Sequence, residues 1–195
     1  MAVLCNNVIA GASIADDAAG GGAYKIERSL RFNRADSAYL NRAFAAGNAR
    51  TWTWSCWVKR SGLGEYTRLF ENTTQGASLI RFRDNDQFGG HFDSATTFSI
   101  ETSDQLRDTS AWYHLVVVAD TTNSTEADRG RLFINGRRIS ENLKDNQNNS
   151  GAHYPTLNEL VGINKLGNHV LGGGVINSEY LNGYIADPIF IDGLA

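Results

Sequence analysis

Cysteine and proline are almost missing from this chain, with two of each in 195 residues. Cys5 and Cys56 stand far apart with no second ligand at metal spacing, so the fold does not rely on a disulfide scaffold, and a thiolate zinc site has no support. Neither charge sign dominates: 18 basic and 21 acidic side chains leave a net charge of −3. That balance gives no basic face for nucleic acid and no acidic tail. No apolar run is long enough to cross a bilayer as a helix, and the start lacks the basic residues of a signal peptide. The expected product is therefore soluble, does not insert in a membrane, and reaches the outside, if it does, by a route other than classical secretion. Helical periodicity is missing as well. So are the Gly-x-Ser-x-Gly elbow, the His-Glu-x-x-His pair, the phosphate loop, and the Glu-x-Asp-x-x-Glu strand that places two carboxylates for glycoside hydrolysis.

What is abundant points one way. Twenty glycines, with many Asn, Asp, Ser and Thr, favour a turn-rich β protein, and 42% hydrophobic residues exclude a disordered one. The stretch Thr51-Trp52-Thr53-Trp54-Ser55-Cys56-Trp57-Val58-Lys59-Arg60 holds three of the four tryptophans. Trp52, Trp54, Cys56 and Val58 recur at period two, which predicts a strand with that face in a core. Trp57 puts a ring on the opposite face, so the strand is expected to be central and covered on both sides. Trp112 to Asp120 is nearly continuous in Leu and Val and predicts a second such strand. The two tryptophan-bearing strands are expected back to back in one sandwich.

Shorter strands are predicted at 29–33, 38–40, 67–71, 79–83, 87–93, 96–101, 160–164 and 180–191. Pro188 cannot donate to a ladder and marks a bulge or an edge. Asn135-Gly136, between Arg131-Leu132-Phe133-Ile134 and Arg137-Arg138-Ile139, predicts a two-residue type I′ hairpin. The predicted fold is all-β, an antiparallel two-sheet sandwich of about a dozen strands. Residues 1–24 form a separate N-terminal arm, with apolar Val3-Leu4 and Val8-Ile9, acidic Asp16-Asp17 and a Gly20-Gly21-Gly22 break. Such an arm either docks on its own domain, residues 25–195, or adds to a neighbouring subunit.

Trp54-Ser55-x-Trp57-Val58-Lys59, Trp112-Tyr113-His114-Leu115-Val116, Leu132-x-Ile134-Asn135-Gly136 and Leu181-x-Gly183-x-Ile185-Ala186-Asp187 occur in the order found in laminin-G-like domains, which the chain resembles from about Arg28 onward. The resemblance implies the concanavalin A-like jelly roll. Ser29-Leu30-Arg31-Phe32-Asn33, Asp36-Ser37-Ala38-Tyr39-Leu40, Thr51 to Ser55 and Phe190-Ile191-Asp192-Gly193 look like the version carried by virion proteins of marine tailed bacteriophages. Pro188 departs from that pattern, and no fibre or enzymatic domain follows Gly193 in this sequence. The resemblance implies a non-enzymatic structural protein on the virion surface, a capsid decoration or a tail or fibre accessory. It would attach to other virion proteins through the arm, form a homo-oligomer on the particle and contact host-surface glycans. The competing reading is a soluble calcium-dependent lectin.

Laminin-G-like domains often hold one calcium at a loop edge, which makes Asp84 and Asp86 the candidate ligands; the same Asp-Asn-Asp is also ordinary turn chemistry. Sugar would need exposed rings, and Tyr66, Phe88, Phe98, Tyr154 and Tyr180 are the loop or strand-end aromatics that could serve. Each also fits a packing role at the rim. His114 reads as a structural residue bonded across strands, and His91, His153 and His169 lie in or near loops. Three Asn-x-Ser/Thr sequons, at Asn72, Asn123 and Asn148, carry no weight in a chain so rich in these residues.

Overall fold

A computed structural model describes residues 26–73, 78–93, 98–145, 151–164, 167–174 and 177–195. The arm, Cys5 included, lies outside the described residues. Among the described residues, twelve strands form two six-stranded antiparallel sheets. The first sheet runs β1 (Leu30–Phe32), β12 (Gly183–Asp192), β3 (Thr51–Arg60), β8 (Tyr113–Asp120), β9 (Gly130–Ile134), β10 (Arg137–Ile139). The second runs β2 (Leu40–Phe44), β11 (Gly167–Leu171), β4 (Thr67–Asn72), β5 (Ser78–Phe82), β6 (Gln87–Phe92), β7 (Phe98–Gln105). This is the predicted sandwich.

β3 lies between β12 and β8 and turns Trp52, Trp54, Cys56 and Val58 into the core. Trp52 meets Phe92 of the other sheet edge-on at 5.0 Å, and Trp54 stacks toward Phe70 at 6.4 Å. Burial holds the Cys56 thiol well above the usual range, so it stays protonated and inert. The alternation continues to Arg60, which also points inward. Its guanidinium lies 4.3 Å from the Phe82 ring, donates to the Leu106 carbonyl at 2.7 Å and pairs with Asp86 at 2.8 Å. A charge here is tolerated because the ion pair, the carbonyl and the ring replace part of its lost hydration.

The Asn135-Gly136 turn forms as predicted, with φ of 51° and 78° and Ile134 paired to Arg137. The Asn135 side chain also accepts from the His114 N–H at 2.8 Å. Pro188 sits in the predicted bulge: the β12–β3 register shifts between Ala186 and Ile189, with Asp187 at φ 46°. Three expectations are corrected. The tryptophan-bearing strands are not back to back but side by side in one sheet, with Trp112 just before β8 and half-buried. Residues 160–164 are not a strand: Val161 donates to the Ala49 carbonyl, and Gly162–Asn164 is a 3-10 turn that plugs one end of the core with Val161 and Ile163. His91 lies in β6, within the predicted 87–93 strand, and His169 lies in β11, where no strand is predicted.

Candidate functional site

Strands β4 to β7 put Leu69, Phe70, Ile80, Phe82, Phe88, Phe92, Phe98 and Ile100 into the core. Their alternate residues therefore face away from the core, and there the chain places buried charge: Arg68 and Glu71 on β4, Arg81 on β5, His91 on β6, Glu101 on β7, each 7% exposed or less. An irregularity between Arg68 and Phe70 lets both Leu69 and Phe70 turn inward while Arg68 and Glu71 stay outside. The strand register sets Arg81, Gly89 and Glu101 in one row. Gly89 has no side chain to block the row. A Cβ there would lie 2.7 Å from Glu101 Cγ and closer still to the β7 backbone, so only glycine lets Glu101 reach across to Arg81.

The charges form two linked groups. Arg68 pairs with Glu71 and, at 2.6 Å, with Glu179. Glu101 accepts from Arg81 at 3.1 Å and from Arg83 at 3.0 Å. The Tyr66 ring lies 5.1 Å from the Arg81 guanidinium and 6.0 Å from that of Arg83. Burial alone would lower the Arg68 and Arg83 pKa values, but their carboxylate partners outweigh it and hold both above the usual arginine range. His91 has no carboxylate partner among the described residues. Burial, then the charges of Arg81, Arg68 and Arg83, lower its pKa to about 3, and its buried Nδ1 has no hydrogen-bond partner among the described residues.

The neutral His91 gives the face a pH signature. The unfolded chain takes up a proton near the ordinary histidine pKa of about 6.5, whereas the folded site resists until about pH 3. The His91 contribution is thus complete above about pH 6.5. It declines as pH falls toward 3, by up to about 1.4 kcal/mol per pH unit. Urea midpoints measured across this range should fall with acidity, and His91→Gln should flatten the slope.

Glu71 and Glu101 share this face but lie on strands β4 and β7, three strand spacings or about 14 Å apart. Glycoside hydrolysis needs carboxyl groups about 5–10 Å apart, one of them free to carry a proton. Here both are ion-paired, and Glu179, which shares Arg68 with Glu71, brings a further carboxylate beside the first.

Of the sequence candidates, the structure brings Tyr66 and Tyr180 to this face. Tyr180 follows Glu179 and stacks on Tyr39 at 6.1 Å. Tyr154 is elsewhere, half-buried against the core rim near Gly130. Phe88 and Phe98 are corrected outright: both are fully buried, since the period of β6 and β7 turns them inward, and Phe88 packs on Phe82 at 5.7 Å. The calcium pair does not assemble either. Asp84 is exposed, while Asp86 is only 3% exposed and its oxygens are taken: Oδ1 accepts from Arg60 and the Gly64 N–H, Oδ2 from Arg107. These residues do not fit a metal, and among the described residues no group of three or more His, Cys, Asp or Glu comes together to hold one. Burial raises the Asp86 pKa, but the Gly64, Arg107 and Arg60 donors outweigh it and keep the carboxyl below its usual range. Arg68, Arg81, Glu101 and His91 escaped the sequence reading. Leu79-Ile80-Arg81-Phe82-Arg83 does show arginines alternating with core residues, but it does not say which carboxylates lie across the sheet.

Comparison with known proteins agrees with this architecture. A family model of laminin-G type, described as the concanavalin A-like lectin/glucanases superfamily, matches residues 33–190. Among solved structures, the native heptameric SAP-like pentraxin from Limulus polyphemus superposes with a TM-score of 0.57 at 15% identity, covering 86% of this chain and 77% of that one. Domains LG4-5 of the mouse laminin alpha1 chain give 0.54 at 9% identity, covering 99% of this chain and 45% of that two-domain chain. At these identities the likeness is one of fold. A search of curated protein sequences finds no match. With most of its length matched by the family model, the chain belongs to the concanavalin A-like lectin/glucanase superfamily, in its laminin-G form.

Proposed function

We propose that this chain is a non-enzymatic virion structural module, a capsid decoration or tail accessory of a bacteriophage, that meets host-surface glycans with the outer face of its second sheet. One observation carries the binding half of the proposal: the partly exposed rings of Tyr66 and Tyr180 sit beside a largely buried ion-pair network of Arg68, Arg81, Arg83, Glu71, Glu101 and Glu179 that holds this face rigid. Sugars pack on rings held in this way. The ion-paired carboxylates support a non-catalytic role. The virion half rests on the sequence resemblance, with residues 1–24 as the attachment segment. Calcium has no part in this reading, because Asp86 is committed to Arg60 and Arg107.

Purified chain on an array of bacterial surface polysaccharides should bind, with and without chelator. Tyr66→Ala should weaken binding about tenfold, the loss of a ring contact of about 1.4 kcal/mol. No binding by the wild-type chain would remove the glycan reading. Turnover of a bound glycan that disappears in Glu101→Gln would make the protein an enzyme instead. Labelled antibody on intact particles tests the virion position.

A further inference from the structure

One corner of the second sheet sets exposed groups beside the buried network. The 3-10 turn Arg34–Asp36 joins β1 to β2 and brings Arg34 to Glu65, with which it pairs, and to the Tyr66 carbonyl at 3.4 Å. Tyr39 follows the turn and stacks on Tyr180 at 6.1 Å. Tyr39 is 41% exposed, and the Arg34 and Glu65 side chains are 31% and 50% exposed, so all three meet solvent. The ring pair is held from behind. A Cβ on Gly173 would lie 2.6 Å from Tyr39 Cβ and 3.0 Å from Tyr180 Cδ1, so the backbone there packs directly against both. Tyr180 is tied to the network as well, because the preceding Glu179 accepts from the Arg68 N–H at 2.9 Å and from its guanidinium. Rings fixed before a ligand arrives lose little freedom on binding.

Charge narrows what that ligand can be. Arg34 pairs with Glu65, Arg68 with Glu71 and Glu179, and Arg81 and Arg83 with Glu101. An anionic group could take one of these arginines only by displacing its glutamate. At the buried pairs that would leave a carboxylate uncompensated. Arg42, the next cation along β2, lies in register with His169, whose ring stacks on core Phe70, so it belongs to the core side of β2. Asp36, bonded to the Asn33 side chain, adds negative charge at the turn. Sugar hydroxyls, by contrast, can use the lone pairs and N–H groups left over on a paired carboxylate or guanidinium.

We propose, resting on the glycan reading above, that the ligand of this face is an uncharged glycan. A sugar ring lies on the Tyr39–Tyr180 pair, and its hydroxyls reach Arg34 and Glu65.

The same polysaccharide array, sorted into neutral polymers and acidic ones built on uronic acids, tests this with the full chain. Neutral polymers should bind and acidic ones should not. The affinity should hold between about 0.05 and 0.5 M salt, because no net charge is screened. Tyr39→Ala should weaken binding about tenfold, and Tyr39→Phe, which keeps the ring, should restore it. Gly173→Ala, which crowds both rings without removing either, should weaken it too. Leu160→Asp, exposed beside Ala49 at the start of β3 and so away from this corner, should bind as the wild type does. Binding confined to acidic polymers and weakened by salt would overturn the uncharged ligand and leave the glycan reading standing. Neutral binding that is lost in Tyr66→Ala but unchanged in Tyr39→Ala and Gly173→Ala would overturn the placement in the same way. No binding to either class would remove both.

Discussion

Asp86→Asn should unfold at a markedly lower urea concentration than the wild type, with a loss of about 3–5 kcal/mol, the usual result of removing one partner from a buried ion pair. Arg60 is 1% exposed and Asp86 3%, so solvent cannot replace the lost charge. The amide keeps the size of the carboxylate, and Asn tolerates the positive φ of 66° at this turn, so shape and backbone strain do not confuse the result. Arg60 and Arg107 would then face a neutral group across 2.8 and 3.0 Å. Most of the effect should come from Arg60, because the Arg107 side chain is more than half exposed and its pair is largely screened. Arg60→Met together with Asp86→Leu should recover much of the loss, since a well-packed apolar pair can replace a buried salt bridge. The same loss in buffers with and without calcium would confirm that Asp86 serves the fold; a loss seen only with calcium present would restore the metal reading.

Trp54→Ala is expected to cost a similar amount, about 3–5 kcal/mol, against a total stability of about 5–15 kcal/mol for a natural domain. Trp54 is 1% exposed and stacks toward Phe70 at 6.4 Å, so its removal opens a cavity between the sheets. At roughly 2–4 °C per kcal/mol for a chain of this size, the thermal midpoint should drop by about 10 °C or more. Trp112→Ala, half-buried on the outer face, should cost much less. Equal losses at the two sites would contradict the sidedness of the sheet.

That contrast shows where sequence reading stops. Trp54 was legible because a ring at every second position of a β-branched strand has one face to bury. The Asn135-Gly136 hairpin and the Pro188 bulge were legible for the same local reason: positive φ and a missing N–H act on the residue itself. Phe88 was misjudged because its short strand gave no clue to which side held the core. Asp86 was misjudged because Asp-Asn-Asp looks alike whether its oxygens meet a metal, a turn N–H or a buried arginine from a strand 26 residues away.

The sequence by itself determined the class of fold, the central strand and its inward rings, because alternation and turn chemistry depend only on near neighbours. The tertiary structure decided the candidate site. Arg81 meets Glu101 across a glycine on a third strand, and His91 is pressed among three arginines from two others. Such pairings depend on sheet order and register, and those are settled by how the two faces pack as a whole.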